Sequence, residues 1–287
     1  MKSFPKVFIV ILNYNGKDYI KKCLSSVFKI EYPNFEVVLV DNNSTDGSLE
    51  SAKMNFSKAT FIKNAENLGF STGNNVGIRY ALERMAEYIL VLNNDVEVEK
   101  EFLTKLIEVA VADEKIGILS PVILDGVTKE IWFSGGTIEW LKMRAVHKKH
   151  VKTADYYDGS FVSGCAMLIK ADVFKRIGLF DEDFFLYWED VDFSFRARKA
   201  GFKNVIVAAS WIYHFENSEQ YKKDKTYWLV ISGLTFFSKN TPLGLKPWIS
   251  IYTRLRKIKN WLDVRYKKND LAITVQKAYK DFSNAKF

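Results

Sequence analysis

At 287 residues, with 48% apolar and 26% charged side chains, the chain has the composition of a globular protein and the length of one large α/β unit with an appendage. No stretch approaches the roughly 18 consecutive apolar residues of a membrane-spanning helix, and the start, Met1-Lys2-Ser3-Phe4-Pro5-Lys6, carries no cleavage signal, so the expectation is a cytoplasmic chain without a span or an export leader. The net charge of +8 is uneven: from His214 onward 15 Lys/Arg stand against 6 Asp/Glu, a net of +9, leaving −1 for residues 1–213 and arguing against a nucleic-acid-binding surface there.

Val7 to Leu12 is an apolar run ending on Asn13-Tyr14-Asn15-Gly16, and Ile20, Cys23, Leu24, Val27 and Phe28 follow at helical spacing. Glu36 to Val40 predicts a second strand closing on Asp41, with the turn formers Asn42-Asn43-Ser44-Thr45-Asp46-Gly47 behind it. A third strand falls at Thr60 to Ile62, a Gly-rich turn at Leu68-Gly69, a helix from about Thr72 to Met85, and a fourth strand at Tyr88 to Leu92. Continuous apolar strands separated by helices predict a parallel sheet covered on both faces. Polar residues gather where such strands end, at Asn13/Asn15, Asp41 and Asn93-Asn94-Asp95, and the carboxyl edge is where sheets of this kind bind ligands.

Residues 122–160 read as loops and short strands with Trp132, Trp140 and a basic stretch from Arg144 to Lys152, forming one wall of the site. Phe161 to Ile169 predicts a strand, Ala171 to Ile177 a short helix, Glu189 to Ala200 a helix with an acidic start, and Asn204 to Ala208 a last short strand before Trp211-Ile212-Tyr213-His214. Cys23 and Cys165 lie in apolar segments without CxxC spacing, which predicts buried free thiols. No GxGxxG follows the first strand, which speaks against a nicotinamide site.

In chain order, Val10-Ile11-Leu12-Asn13-Tyr14-Asn15, Val40-Asp41-Asn42-Asn43-Ser44-Thr45-Asp46-Gly47, Asn67-Leu68-Gly69-Phe70, Leu92-Asn93-Asn94-Asp95 and Trp188-Glu189-Asp190-Val191-Asp192 resemble the motifs of family-2 glycosyltransferases, nearest the rhamnosyltransferase-like branch. The resemblance covers about 210 residues and implies a GT-A fold: a Rossmann-like, mostly parallel α/β sheet flanked by helices, here with a C-terminal helical tail. It also implies a nucleotide-diphosphate sugar donor, UDP- or dTDP-linked, a divalent metal (Mn2+ or Mg2+) as cofactor, and inversion at the anomeric carbon. The domain expectation is a catalytic unit over 1–218, with a nucleotide-binding half (1–95) and an acceptor and catalytic half (96–218), then a basic amphipathic extension over 219–287.

The resemblance assigns the nucleotide to Asn13, Asn15, Asp41, Asn67, Gly69 and Asn93, with Asp41 accepting from the base-ring N–H. Asp46 stays open between a nucleotide contact and a helix cap. Asp95 is the last position of the family's DXD motif and a metal ligand; Asn93 stands where the motif begins with Asp, so metal binding leans on Asp95 and the donor phosphates. His214 is a second metal ligand, with Ser218 on phosphate. Asp190 is the base that takes the acceptor proton, Glu189 supports it or contacts the acceptor, and Asp192 is open between a part in the site and an i, i+4 pair with Arg196. Ser163, Gly164 and Trp188 line the acceptor and sugar pocket.

The acceptor implied is a glycan or lipid-linked hydroxyl in cell-surface polysaccharide or glycoprotein glycan synthesis. Transfer to polyprenyl phosphate and a catalytically silent nucleotide-sugar binder are the alternatives. In the tail, Trp248, Ile251, Tyr252, Leu255, Ile258 and Leu262 recur at helical spacing among Arg254, Arg256, Lys257 and Lys259. Contact with the inner face of an anionic membrane, packing on the catalytic unit and an oligomer interface all fit that pattern.

Overall fold

The structure, a computed structural model, describes residues 4–216, 222–267 and 269–284. Ser218 lies outside the described residues.

The first half is a run of strand–helix units: β1 (Val7–Asn13), α1 (Ile20–Val27), β2 (Phe35–Asp41), α2 (Ser48–Asn55), β3 (Thr60–Lys63), α3 (Gly69–Glu83) and β4 (Tyr88–Asn93). β1 lies between β2 and β4, parallel to both, and β3 continues the parallel set beyond β2. The register pairs Asn13 with Asp41 and Leu12 with Asn93, so the polar strand ends come level along one edge. The helical spacing noted above is that of α1, whose Ile20, Cys23, Leu24 and Val27 face the core.

The second half contains β5 (Val96–Val98), α4 (Phe102–Ala112), β6 (Ile116–Asp125), β7 (Ile131–Phe133), β8 (Gly136–Glu139), β9 (Arg144–His147), β10 (Tyr156–Asp158), β11 (Ala166–Lys170), α5 (Ala171–Ile177), α6 (Glu189–Lys199) and β12 (Lys203–His214). The main sheet runs β10-β12-β6-β11-β4-β1-β2-β3, with β5 on β12 and β7 on β6. β6 and β12 are parallel, while β11 is antiparallel to both β4 and β6, so one reversed strand separates two parallel groups. β8 and β9 form a separate hairpin.

Three elements absent from the sequence expectation, β5, α4 and the start of β6, fill residues 96–121. The strand expected from Phe161 begins only at Ala166; Phe161 makes an isolated bridge to Gly136, and Ser163–Cys165 form a buried turn. Asn204–Ala208 and Trp211–His214 belong to a single strand whose register shifts between Val207 and Trp211. The core runs from Val7–Ile11 through Val37–Val40 and Ile89–Leu92 to Met167–Ile169 and Val205–Val207. Cys23 and Cys165 are free and buried within it, and burial pushes both thiols up. The tail forms α7 (Lys222–Asn240), α8 (Lys246–Lys267) and α9 (Asp270–Asn284).

Candidate active site

At the carboxyl edge of β1 and β2, Asn13 is fully buried and its Nδ2 donates to Asp41 Oδ1 at 2.8 Å, Ser48 Oγ at 2.9 Å and Ser44 Oγ at 3.1 Å. Its Oδ1 accepts from Asn94 Nδ2 at 2.9 Å. Asp41 is enclosed as well: Oδ1 accepts from Asn13 and the Ser44 hydroxyl, and Oδ2 from the Ser44 N–H at 2.9 Å. A base-ring N–H therefore has to compete with Ser44 for this carboxylate. Asn15, at φ 49°, accepts the Thr45 N–H on Oδ1 and ties the first strand end to the second. Asp46 caps the start of α2 through Ser48 and takes the Lys17 N–H. Asn13, Asn15 and Asp41 shape the sheet edge beside a cavity that their neighbours Leu12, Tyr14 and Asn42 line.

That cavity, of about 200 Å³, is lined by Leu12, Asn67, Gly69, Asn93, Asn94 and Phe185 among others. Asn67 Oδ1 accepts from Gly69 N–H at 3.0 Å and Asn42 Nδ2 at 3.1 Å, which closes the turn before α3. Gly69 sits at φ +75°, and a Cβ there would lie 2.5 Å from the Phe185 carbonyl, which accepts the Phe70 N–H at 2.6 Å. Both the left-handed backbone and the close approach require glycine.

The neighbouring cleft, of about 380 Å³, holds Asn93, Asp95, Ser163, Gly164, Trp188, Glu189, Asp190 and His214 together. Asp95 belongs to the turn between β4 and β5, and because β5 pairs with the end of β12, His214 is brought opposite it. His214 Nε2 lies 3.3 Å from Asp95 Oδ1, and neither that oxygen nor His214 Nδ1 has a hydrogen-bond partner although both are buried. An octahedral divalent ion with ligands at about 2.1 Å has adjacent ligand atoms about 3 Å apart, so the spacing fits such an ion shared by the two side chains. Among the described residues no three His, Cys, Asp or Glu side chains cluster to hold a metal by themselves, and the remaining positions suit phosphate oxygens.

Glu189 and Asp190 open α6 on the opposite wall. Gly164 N–H donates to Asp190 Oδ2 at 2.9 Å and Val191 N–H to Oδ1 at 2.7 Å. Desolvation raises the Asp190 carboxyl above the ordinary aspartate range while these two N–H groups pull it back. Glu189 is pushed well above its usual range, first by burial and then by the charge of Asp190, and its Oε2 is buried without a partner. Burial thus acts on both carboxyls, and of the two it is Asp190 that N–H groups hold. Asp192 is structural: it pairs with Arg196 Nε at 2.6 Å and accepts from Asn240 Nδ2 at 2.8 Å. Tyr187 and Trp188 precede the helix at φ 65° and 71°, and Trp188 is held by α7 through Nε1 to the Leu229 carbonyl at 3.1 Å and a stack on Phe236.

Several cleft residues escaped the sequence. His147, from β9, enters edge-on to Trp132 and Phe133 and tilted against Phe161, and desolvation lowers its pKa to about 4, leaving it neutral. Trp132 also meets the His214 ring at 4.7 Å. Lys225 of α7 and Glu216, joined as an ion pair, line the cleft together with Leu229. The only sequence signal for His147 is its place in the aromatic-rich 122–160 stretch; for Lys225 there is none, because α7 reaches the cleft through tertiary packing alone.

The family model described as glycosyl transferase family 2 matches residues 8–178, more than half of the chain. The low-salt glycan biosynthesis hexosyltransferase Agl10 of Haloferax volcanii is 32% identical over 202 residues, which cover 67% of this chain and 61% of that protein. The N-acetylglucosaminyl-diphospho-decaprenol L-rhamnosyltransferase of Mycobacterium tuberculosis is 25% identical over 230 residues, 72% of this chain and 75% of that one. Among solved structures, GalNAc-T7 with UDP, GalNAc and Mn2+ gives a TM-score of 0.66 at 19% identity, over 88% of this chain and 55% of that one, a likeness of fold. The chain thus spans about three-fifths of the length of the hexosyltransferase it matches. With its GT-A fold and the match over residues 8–178, it belongs to glycosyl transferase family 2.

Proposed function

We propose that the chain moves a hexose or deoxyhexose, with inversion, from a UDP- or dTDP-linked donor to a hydroxyl of a glycan or lipid-linked acceptor in the synthesis of a cell-surface polysaccharide or glycoprotein glycan. The observation that carries this reading is the convergence in one cleft of the Asp95–His214 pair and the Asp190 carboxyl held by two backbone N–H groups. The diphosphate lies against Asp95 and His214, where a bound divalent cation, Mn2+ or Mg2+, would neutralise charge on the leaving group. The nucleoside occupies the smaller cavity beside Asn67, Gly69 and Asn93, with the edge built by Asn13, Asn15 and Asp41 beneath it. The sugar bridges the two cavities past Ser163 and Gly164.

Asp190 accepts the proton of the acceptor hydroxyl as its oxygen bonds to the anomeric carbon, and the bond from that carbon to the diphosphate oxygen breaks with its electron pair. The N–H groups of Gly164 and Val191 fix the carboxylate for this step. The mycobacterial relative, whose name specifies a decaprenol-linked acceptor and a rhamnosyl group, supports a lipid-linked acceptor and a deoxyhexose here.

Calorimetric titration with UDP and dTDP, each with and without Mn2+, tests the donor site before any acceptor is known. Metal-dependent binding of one or both, lost in Asp95→Asn, is the expected result. Failure of both nucleotides to bind would overturn the mechanism.

A further inference from the structure

α8 is attached to the rest of the protein by its less apolar face. Thr253 Oγ1 meets Met143 Sδ at 3.4 Å, Lys257 Nζ donates to Ser283 Oγ at 3.3 Å, Asn260 Nδ2 donates to the Ala272 carbonyl at 3.1 Å, and Ile249 is buried beside them. The more apolar face points away. At about 100° of rotation per residue, Trp248, Ile251, Leu255, Ile258, Leu262 and Tyr266 fall within about 80° of the helix circumference. Ile251, Leu255 and Ile258 are each more than half exposed. A helix recruited only to pack on its own domain would turn this stripe inward.

The charges follow the stripe. α8 carries seven Lys/Arg against the single acid Asp263. Arg254 and Arg265 run along one margin and Lys259 along the other, where long side chains can lie over apolar surface and still reach polar groups. A second copy of the helix on this face would set like-charged margins against each other, whereas a sheet of anionic head groups above acyl chains complements both features. No described helix is long and apolar enough to cross a membrane, so the fitting geometry is one lying in the interface plane.

We infer that the outer face of α8 is a docking surface for an anionic lipid bilayer. The helix lies in the head-group layer with Ile251, Leu255 and Ile258 inserted and Arg254, Lys259 and Arg265 on lipid phosphates. Trp248 ties the helix to the hairpin region through Nε1 to the Leu141 carbonyl at 2.9 Å, and the same β8–β9 hairpin supplies Ala145 and His147 to the cleft, so lipid surface and cleft share one neighbour.

The test is co-sedimentation of the full chain, without nucleotide, with vesicles of phosphatidylcholine alone and of phosphatidylcholine with phosphatidylglycerol. Binding only to the anionic vesicles, weakened by salt, is expected. Arg254→Gln, Lys259→Gln and Arg265→Gln should each weaken it about fivefold, the equivalent of about 1 kcal/mol per basic residue near such a surface. Ile251→Glu with Leu255→Glu and Ile258→Glu should abolish vesicle binding and leave the thermal midpoint and nucleotide titration unchanged, which separates this outcome from any failure of the donor site. Absence of binding to anionic vesicles at low salt would overturn the inference. So would a dimer in light scattering that the triple variant dissolves, which would assign the stripe to a second copy.

Discussion

Two carboxyls one residue apart share a wall of the cleft, and their surroundings act on them unequally. Both sit in the first turn of α6, where the dipole favours negative charge, but Asp190 receives two backbone N–H groups whereas Glu189 leaves Oε2 buried and bare. Asp190→Asn is expected to lower kcat by about 10²–10⁴-fold while nucleotide binding persists. Glu189→Gln is near-isosteric and leaves both N–H bonds to Asp190 in place, so it should keep most of the activity, and a profile in which the two variants fall equally would count against the assignment. Because the Asp190 pKa is raised, the acid limb of kcat against pH should lie above the ordinary aspartate range: as pH falls through that pKa the base is protonated and the rate declines. For Glu189 the sign concerns stability. Its raised pKa means that the unfolded chain ionises first, so the folded state loses stability as pH rises from the ordinary glutamate range toward the raised value. Glu189→Gln removes this loss, and thermal melts at acidic and neutral pH should differ less in the variant than in the parent. Asp95, His214 and Asp190 were legible in the sequence because each closes a motif at the end of an apolar strand or the start of a helix. Asp41 was legible as a site-edge residue, but its engagement by Ser44 depends on the folded turn.

At the scale of elements, the turn that delivers Asp190 is held from outside. Tyr187 and Trp188 both occupy left-handed backbone, which costs about 1–3 kcal/mol per residue and persists only where surroundings enforce it. α7 is that enforcement: Ser232 Oγ donates to the Leu186 carbonyl at 2.8 Å, Leu229 accepts from the Trp188 indole, and Gly233 lets the helix approach the ring. A Cβ at Gly233 would lie 3.1 Å from Trp188 Nε1. Gly233→Val should push the indole out, reduce unfolding free energy by about 1–3 kcal/mol, and depress kcat more than nucleotide affinity. Chemical denaturation with steady-state kinetics measures both. The sequence disclosed α1, β1, β2 and β4 because their apolar patterns are clean, whereas α3, which buries Ser71, Asn74 and Asn75, was legible from the Gly-rich turn before it. It misplaced the start of β11 because Phe161–Ile169 is one apolar run in which a buried turn at Ser163–Gly164 has no periodic signature. α7 stayed hidden as a part of the site because its contacts are with residues about 40 positions earlier in the chain.

For the whole molecule, the reversed strand β11 determines how the two parallel groups meet. Its Ala166 end pairs with Leu92 near the carboxyl end of β4, so the turn at Ser163–Cys165 arrives on the same edge as Asn93 and Asp95. A parallel strand in that place would have brought its far end, Lys170, to the site. The same arrangement sets an order of assembly. β1 and β2 pair between residues 28 apart in the sequence, whereas β4 joins β1 across 81 residues and β11 across 74 to 82, and α6 meets α7 later still in the chain. Contacts of long sequence separation form slowly, and chains fold from the N-terminus as they are made. The first strands should therefore pair while the wall bearing Asp190 is still open. Pulse-labelled hydrogen exchange during refolding should protect amides of β1 and β2 ahead of those in β4, β11 and α6, and simultaneous protection would reject that order. During synthesis, a nascent chain of this protein would then carry its polar sheet edge before either cavity is walled, because Phe185 and His214 both emerge late.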